Sequence, residues 1–354
     1  MAMDILSGVL KAHSGRFVGD GVAVTDLQEV TKVVQDWSQW YRAWTVLGDK
    51  YEDLAKESLA EGAHVSAGEF FWSASLAYQY AQFLWFHDPR EREEGQRRKQ
   101  ELYLQAAPYL VPKAERFDLP LGGYTIPGYL RLPPGPGPFP CVILLGGLES
   151  TKEESYLFEQ MCLRRGLATC TFDGPGQGEM FFQVELKPDF ERYCSRVIDY
   201  LETQPDINVQ RLGALGRSLG GYFAVRSAVF DPRLIACACW GAFFDLSWWE
   251  NISPLTQDGF IYITKIRDKQ AAVRYLTDTI NLAGTAEKLN CSLYVLHGGQ
   301  DTVIPGAQSE RLEMATRHLK DRTFDIEPEG NHCCHNIYPI VRSHMADWLV
   351  SRLK

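Results

Sequence analysis

One serine in this chain of 354 residues has the local sequence of a catalytic nucleophile. Ser218 is the centre of a G-x-S-x-G pentapeptide, residues 216–220, between a strand-like apolar run and a helix-like stretch. Glycine two residues away on each side predicts a turn so tight that side chains there would clash with neighbouring backbone. Such a turn holds the serine oxygen clear of the sheet. The pentapeptide alone is a weak signal, because an ordinary glycine-rich turn has the same pattern.

A carboxylate and a histidine follow later in the chain, each after a strand-like run. The apolar run 292–298 ends in a turn that carries Asp301, and the run 322–326 leads into a turn that carries His332. The order serine, carboxylate, histidine is that of the α/β-hydrolases and differs from chymotrypsin-like and subtilisin-like chains. Each residue lies just past the carboxyl end of a predicted strand, where open α/β sheets place their sites. The pattern therefore predicts a triad with Ser218 as nucleophile, His332 as base and Asp301 as its orienting partner.

A glycine pair after an earlier strand supplies the fourth part of this chemistry. The strand-like run 141–145 opens into Gly146 and Gly147. Glycines at this point let a backbone N–H turn toward the nucleophile, so we expect the N–H groups of Leu148 and Leu219 to form an oxyanion hole. A flexible loop after the strand is the alternative interpretation.

Two other motifs could suggest a cofactor, and we expect neither to bind one. The turn 173–178 has the pattern D-x-x-G-x-G, but Pro175 interrupts it and no predicted helix begins at its last glycine, as a nucleotide site requires. In the tract His332-Cys333-Cys334-His335 the usual spacing between metal ligands is missing. We therefore predict no metal and no cofactor, with His335 a minor rival to His332 as the base.

Composition indicates an intracellular enzyme. A hydrophobic content of 45% over this length is enough for a full α/β core and a second unit. The net charge of −9 disfavours nucleic acid or an anionic membrane as a partner. No signal peptide pattern is present in residues 1–15, and no apolar run approaches the length of a membrane span. The nine cysteines lie mostly in apolar runs, so we expect reduced thiols and a cytoplasmic location.

From about residue 113 onward the pattern predicts an α/β-hydrolase core, 113–354, with a mostly parallel sheet flanked by helices. A hairpin signal, Gly122-Gly123, is followed by strand-like and helix-like segments that alternate to the end of the chain. One insertion, residues 243–290, interrupts this alternation before the strand that carries the predicted acid.

Residues 1–112 are predicted to form a helical unit. Aromatic and aliphatic residues recur at helical spacing in two segments between residues 26 and 84, which predicts three to five helices and no strand. The polar run 88–101 is interpreted as a separator before a short further helix. We expect this unit and the insertion 243–290 to form a cap over the active site.

The chain resembles the α/β-hydrolase superfamily, and within it a group that includes fermentation–respiration-switch-like esterases, a hydrolase of nicotine breakdown and fungal hydrolases that shorten polyketide chains. The resemblance rests on the elbow 216–221, the turn 146–150 and the segment 330–336, and it covers nearly the whole chain. It implies a homodimeric serine hydrolase that can cleave a carbon–carbon bond next to a carbonyl. The segment after Asp245 departs from the family pattern, because Ile252 stands where a carboxylate is expected.

Substrate binding is predicted for polar and aromatic residues of the two cap segments and of the helix after the elbow. These candidates are His64, Glu69, Tyr78, Tyr222, Trp248, Trp249 and Glu250. Apolar walls with a few placed polar groups suit a flat aromatic ketone. Glu250, among tryptophans, is the candidate for a buried proton donor to a carbon leaving group, with His332 as the alternative donor.

Three functions are compatible with these residues. The first is hydrolysis of a carbon–carbon bond in an aromatic or polyketide-like ketone, and the second is a carboxylesterase or thioesterase with the same triad. The third is a non-catalytic binding protein on the same fold, which would leave the triad unexplained. The triad does not distinguish the first two, since both begin with addition of the serine to a carbonyl.

Overall fold

The computed structural model describes residues 2–354, with side chains from Ile5 onward, and the chain divides into two compact units. One unit, here called the helical unit, contains the residues up to Arg116 together with Glu153–Phe158. The other, here called the catalytic unit, contains Phe117–Lys152 and Glu159–Lys354. Among the described residues, no helix is long and apolar enough to cross a membrane.

Aromatic side chains from several helices form the core of the helical unit. Its main helices are α1 (Ala2–Asp20), α2 (Val24–Val33), α3 (Trp40–Ala60), α4 (His64–Gln82) and α5 (Pro89–Ala106). Phe17, Trp40, Trp44 and Tyr80 are fully buried, and the Phe17 ring lies 4.4 Å from that of Tyr80. Edge-on and tilted ring pairs of this kind stabilise a core beyond their buried area. Trp40 and Trp44, which recur at helical spacing in the sequence, are thus core residues of this unit.

Two parts of this unit differ from the sequence prediction. Helix α1 precedes the predicted helical region, and the polar run 88–101 is not a separator but the greater part of α5. The run begins with Asp88, whose carboxylate accepts a hydrogen bond from the Arg90 N–H at 2.8 Å, followed by Pro89 in the first turn. Arg97 pairs with Glu94 and Glu101 at helical spacing. Capping and ion pairs stabilise this helix in place of an apolar stripe.

The catalytic unit is built on one sheet of eight strands, as predicted. The strands are β1 (Glu115–Leu121), β2 (Tyr124–Arg131), β3 (Phe139–Leu145), β4 (Ala168–Phe172), β5 (Ile207–Arg217), β6 (Leu234–Trp240), β7 (Ser292–Gly298) and β8 (Arg322–Glu327). Their order is β1-β2-β4-β3-β5-β6-β7-β8, with β2 antiparallel to β4 and the strands from β4 to β8 parallel. This mostly parallel sheet confirms the α/β-hydrolase fold.

Helices cover the sheet, as buried parallel strands require. The helices from residue 156 onward are α6 (Tyr156–Leu163), α7 (Met180–Gln183), α8 (Glu191–Glu202), α9 (Leu219–Phe230), α10 (Pro254–Thr264), α11 (Lys269–Thr279), α12 (Gly306–Ala315) and α13 (Tyr338–Leu353). Of these, α8, α9, α12 and α13 contact the parallel strands. The insertion predicted at 243–290 contains α10 and α11. On the sheet, Phe223 of α9 stacks on Phe190 with ring centroids 3.8 Å apart.

The strand register brings the site together. Leu145, the last residue of β3, pairs with Gly216 near the end of β5, so the loop after β3 and the turn after β5 emerge side by side. Trp240 of β6 pairs with Leu296 of β7, and Gly298 of β7 pairs with Glu327 of β8. Because the carboxyl ends of parallel strands share one edge, the segments after β3, β5, β7 and β8 all lie there.

Candidate active site

The serine lies in a strained turn between β5 and α9. Ser218 has φ 55° and ψ −119°, which is unusual for a residue with a side chain. A Cβ atom on Gly216 would lie 1.9 Å from the Gly220 carbonyl oxygen, and one on Gly220 would lie 2.1 Å from the Leu145 carbonyl oxygen. The Ser218 N–H donates to the Trp240 carbonyl at 2.8 Å, which fixes the turn to β6. The two glycines are therefore required by close backbone approach, as the sequence predicts.

The three residues predicted to form a triad lie in a hydrogen-bonded row. Nε2 of His332 is 3.2 Å from the Ser218 Oγ, and Nδ1 of His332 is 2.8 Å from Oδ2 of Asp301. The other carboxylate oxygen of Asp301 accepts from the N–H groups of Val303 and Ile304 at 2.8 and 2.9 Å. These backbone donors hold the carboxylate so that one oxygen faces the imidazole. The arrangement fits a histidine that takes a proton from the serine while the carboxylate selects its tautomer.

Burial and charge shift the pKa values of Asp301 and His332 in opposite directions. Burial alone raises the pKa of Asp301, but the adjacent His332 and the backbone N–H of Ile304 outweigh it and lower the pKa of this carboxyl. Burial lowers the pKa of His332, while the Asp301 carboxylate and the hydrogen bond to it raise that pKa above the ordinary histidine value. An ionised Asp301 therefore stabilises the imidazolium form of His332.

Other acids and histidines near these strands do not replace the predicted pair. Asp325 lies within β8, and its carboxylate accepts from the Tyr294 hydroxyl at 2.6 Å. His335 is buried, with its ring 5.5 Å from that of Trp240. His297 is buried in β7, and burial lowers its pKa. Asp301 is the carboxylate that contacts His332.

The loop after β3 lies against the serine turn. A Cβ atom on Gly147 would lie 2.9 Å from the Arg217 carbonyl oxygen and 3.3 Å from the Ser218 Cβ, so only glycine permits this approach. Neither the Leu148 N–H nor the Leu219 N–H, the latter at the start of α9, has a backbone acceptor among the described residues. Two available donors beside a nucleophile are what an oxyanion hole needs.

The aromatic candidates of the catalytic unit differ in their surroundings. Tyr222 is fully buried and stacks on Phe243 at 5.8 Å, so it is a core residue. Trp249 is also buried, against Phe260. Trp248 is half-buried, and its Nε1 donates to the Val303 carbonyl at 3.2 Å, in the turn that holds Asp301. Of these three candidates, the structure leaves Trp248 as the one with an accessible face beside the triad turn.

The prediction that Glu250 is a buried acid is wrong. A short 3₁₀ turn, Trp249–Asn251, places the Trp249 side chain in the core, and the next side chain, that of Glu250, is exposed. The exposed carboxylate therefore does not lie in the apolar pocket where the prediction placed it. Burial cannot be deduced from neighbouring tryptophans, because successive residues of a tight turn face different directions.

The three candidates on α4 also have surroundings that the sequence did not predict. His64 and Glu69 are exposed, and the His64 ring stacks on Tyr109 at 5.4 Å. Tyr78 is buried within the helical unit, and its hydroxyl donates to Asp49 at 2.6 Å. Burial, with that hydrogen bond, raises the pKa of Tyr78 to about 12. Tyr78 is thus engaged in the internal packing of the helical unit.

Two side chains that contact the site were missed by sequence reasoning. Gln177 donates from its side-chain amide to the carbonyl oxygens of Gly146 and Gly147. The Cys333 Sγ lies 3.5 Å from Nε2 of His332 and donates to the Trp240 carbonyl at 3.4 Å. The signals were present, since Gln177 lies in the D-x-x-G-x-G turn and Cys333 follows His332, but neither residue type is diagnostic.

One cluster in the catalytic unit has the composition of a metal site. Ligand atoms of Asp325, Glu327 and His344 lie within 4.8 Å of one another, on β8 and α13. The cluster is partly open to solvent, and its Asp325 already accepts from Tyr294. Such groups are common without a metal, and we assign none here. The chemistry available at Ser218 requires none of these ligands.

Comparison with known proteins identifies the family. The profile of the family described as esterase FrsA-like matches residues 26–252, and that of the prolyl oligopeptidase family matches residues 165–354. The chain belongs to the α/β-hydrolase superfamily, in the FrsA-like esterase family, and is a hydrolase of the serine type.

Individual relatives agree with this assignment. The 2,6-dihydropseudooxynicotine hydrolase of Paenarthrobacter nicotinovorans is 44% identical over 336 residues, which cover 95% of this chain and 90% of that protein. A crystal structure of 2,6-dihydroxy-pseudo-oxynicotine hydrolase has a TM-score of 0.90 and 42% identity, with 96% of each chain covered. The 20-hydroxy-prefusarin hydrolase of Gibberella moniliformis is 32% identical over 216 residues, which are 57% of this chain and 51% of that relative.

Proposed function

We propose that this hydrolase cleaves a carbon–carbon bond next to a carbonyl in an aromatic or polyketide-like ketone, through an acyl-enzyme on Ser218. The observation that carries the proposal is the combination of the hydrogen-bonded row Ser218–His332–Asp301 with 44% identity, over 95% of the chain, to a hydrolase named for a pseudooxynicotine. The similarity to a prefusarin hydrolase supports the same class of substrate. No cofactor enters this chemistry.

The proposed reaction begins at the serine. His332 removes the Ser218 proton, and the alkoxide adds to the substrate carbonyl. The N–H groups of Leu148 and Leu219 stabilise the oxyanion that forms. When this intermediate collapses, the carbon–carbon bond breaks and its electron pair leaves with the departing carbon, which takes up a proton. Water then hydrolyses the acyl-enzyme to a carboxylic acid and restores Ser218.

The proton for the carbon leaving group is assigned to His332. Nε2 of His332 lies 3.2 Å from the serine oxygen, so its imidazolium is close to the bond that breaks. Glu250 is exposed and does not serve this role. The leaving group must therefore be one that stabilises a developing carbanion, such as an enolate or an electron-rich arene.

Esterase activity is the second candidate, and the description of the matching family favours it. An ester expels an alkoxide, and the same triad and oxyanion donors serve both reactions. A non-catalytic binding protein is disfavoured, because binding alone does not require a strained Ser218 or an oriented His332. It also does not require the N–H groups of Leu148 and Leu219 to be without a backbone acceptor.

The experiment is a matched substrate panel. We expect the purified protein to hydrolyse β-diketones or acyl phenols at least ten times more efficiently, in kcat/KM, than alkyl esters of the same acyl group. Activated nitrophenyl esters serve as a positive control for the triad, and Ser218→Ala as the negative control, with activity reduced to a few per cent or less. Turnover of alkyl esters but of no ketone would reassign the protein as an esterase.

Three finer features belong to this proposal. The helical unit and the insertion 243–290 act as a cap that sets specificity, the protein is a homodimer, and it works in the cytoplasm. The resemblance to the family supports the dimer, which light scattering on the purified protein tests directly. Eight of the nine cysteines are buried free thiols and the ninth, Cys291, is also free, which suits a reducing compartment.

A further inference from the structure

We propose that Gln177 is a positioning residue for the oxyanion hole, and this inference rests on the proposed function. Its side-chain amide holds the two peptide units that follow Gly146 and Gly147, and so directs the Leu148 N–H toward Ser218. The turn that carries Gln177, residues 173–178, has no other role in the triad chemistry.

The contacts of Gln177 are specific and buried. Its Nε2 donates to the Gly146 carbonyl at 2.8 Å and to the Gly147 carbonyl at 2.9 Å. Its Oε1 accepts from the Gly174 N–H at 3.3 Å, which fixes the orientation of the amide. The side chain is 4% exposed, so water does not compete for these groups.

The geometry of the peptide unit relates these contacts to the direction of the Leu148 N–H. In a trans peptide the carbonyl and the N–H of the same unit point in opposite directions. The Gly147 carbonyl belongs to the same unit as the Leu148 N–H, so an amide that binds this carbonyl turns the Leu148 N–H away from Gln177. The Gly147 backbone also lies against the serine turn, since a Cβ atom on it would be 2.9 Å from the Arg217 carbonyl oxygen and 3.3 Å from the Ser218 Cβ.

Further contacts hold the same loop. The Ser150 N–H donates to the Gly147 carbonyl at 3.2 Å, and the Ser150 hydroxyl accepts from Nη2 of Arg217 in the serine turn at 3.0 Å. The Gly147 carbonyl therefore accepts from both Ser150 and Gln177, so its peptide unit cannot rotate without breaking both contacts. Of these two donors, only Gln177 also binds the Gly146 carbonyl.

The turn that carries Gln177 is itself anchored at both ends. Asp173, fully buried, accepts from the backbone N–H of Lys152 at 2.9 Å and from that of Glu179 at 3.0 Å. The Lys152 ammonium also pairs with this carboxylate at 2.8 Å. Asp173 therefore joins the turn to the end of the loop after β3, at Lys152. Gln177 binds the beginning of the same loop, at Gly146 and Gly147.

Loss of the two Gln177 hydrogen bonds should weaken the oxyanion hole without removing either N–H donor. A donor removed outright costs on the order of a hundredfold or more in rate. A donor that is present but misdirected should cost less, so we expect kcat to fall roughly ten- to hundredfold for Gln177→Leu. KM should stay within about twofold, because the negative charge on oxygen develops only in the transition state.

The test uses two variants and a matched control. Gln177→Leu removes the amide, and Gln177→Glu keeps its shape but places a carboxylate against two carbonyl oxygens. Gln183→Leu is the control, because Gln183 binds the N–H and the carbonyl of Thr125 in the same bidentate way outside this loop. We would measure kcat and KM on an activated nitrophenyl ester and the Ki of a matched trifluoromethyl ketone, which forms an oxyanion adduct with the serine.

The inference predicts that Ki rises by the same factor as kcat falls in both Gln177 variants, with Gln183→Leu unchanged. If kcat stays within twofold of wild type, or if KM rises while Ki does not move, Gln177 has no role in oxyanion stabilisation. Should Gln177→Leu fail to fold, the nearly isosteric Gln177→Glu decides the question alone.

A reaction that needs no natural substrate distinguishes failure of the substrate proposal from failure of the inference about Gln177. A fluorophosphonate labels an activated serine through a charged, oxyanion-like transition state. If wild type reacts with this probe but hydrolyses no ketone, the substrate assignment falls and the role of Gln177 is still tested by the labelling rate of the variants. Equal labelling rates in wild type and both Gln177 variants would overturn the inference.

Discussion

Asp301 acts on His332 through its negative charge, which lies at hydrogen-bond distance from the imidazole. The carboxylate is buried, accepts two backbone N–H bonds with one oxygen and faces the imidazole with the other. An anion held in this way raises the pKa of the histidine and selects the tautomer that can take the serine proton.

The first prediction concerns this pair. Asp301→Asn should reduce kcat by up to about 10⁴-fold, because the amide favours the wrong imidazole tautomer, while the fold persists. Asp325→Asn is the matched control: it alters the other carboxylate of the region, bound to Tyr294, and should leave kcat nearly unchanged. Steady-state rates with a nitrophenyl ester, alongside circular dichroism, measure both. Comparable losses in the two variants would contradict the assignment of Asp301.

The pH dependence gives a second prediction at the same scale. His332 acts as a base only when neutral, and Asp301 raises its pKa, so kcat/KM should fall as the pH drops, with a midpoint above the ordinary histidine value of 6.5. Removing the carboxylate charge in Asp301→Asn should move that midpoint to lower pH. A pH profile of kcat/KM for wild type and variant checks the sign, and a shift to higher pH in the variant would refute it.

At the scale of elements, the turn between β5 and α9 and the loop after β3 are shaped by one another. Their closest approach is between Gly220 and the Leu145 carbonyl, where a Cβ would lie 2.1 Å from a backbone oxygen. Backbone cannot move aside as the end of a flexible side chain can. The strain at Ser218 is therefore maintained by two adjacent parallel strands rather than by the pentapeptide itself.

This packing predicts a contrast between two glycine substitutions. Gly220→Ala should lower the free energy of unfolding by about 1–3 kcal/mol or more and abolish fluorophosphonate labelling of Ser218, because the added carbon forces the loop and the turn apart. Gly306→Ala, at the start of α12, meets no atom within 4 Å and should change stability by about 1 kcal/mol or less. Urea unfolding compares them. A Gly220→Ala protein with wild-type stability and labelling would show that the turn can relax.

At the scale of the whole molecule, segments far apart in sequence are joined by buried charge. Within the helical unit, Nη2 of Arg16 on α1 contacts both carboxylate oxygens of Glu154, 138 residues away, at 2.9 and 3.1 Å. The Glu154 side chain is fully buried and also accepts from Gln79. Such a pair is costly to desolvate, and removing one partner takes a close opposite charge away from the buried charge that stays.

We therefore expect Arg16→Met to destabilise the protein by about 3–5 kcal/mol, because the buried Glu154 would lose the Arg16 cation. Lys56→Met is the control, since the Lys56 side chain is 58% exposed where it pairs with Glu52, and this pair should contribute less than about 1 kcal/mol. Denaturant unfolding followed by tryptophan fluorescence measures both. Equal changes in the two variants would mean that the buried pair contributes no more than a surface pair.

Much of this structure was predictable because the relevant signals are local. The elbow glycines, the two-residue hairpin at Gly122-Gly123 and the apolar strand runs each act over a few residues, and the sheet with its triad order follows from them. The strand β7 has the bounds of the predicted run 292–298. The charge pairs of Arg97 with Glu94 and Glu101 are also local signals, and their helical spacing indicates α5 although this helix has no apolar stripe.

The remaining features depend on contacts between residues that the sequence does not place side by side. Whether Glu250 is buried depends on which way a 3₁₀ turn faces once Trp249 enters the core, and no local pattern encodes that direction. Gln177 acquires its role only because the sheet brings the turn after β4 against the loop after β3, some 30 residues earlier. The sequence by itself thus determined the reacting groups and the strands that carry them. Tertiary structure alone decided which side chains surround those groups, because burial and hydrogen-bond partners are properties of the packed chain.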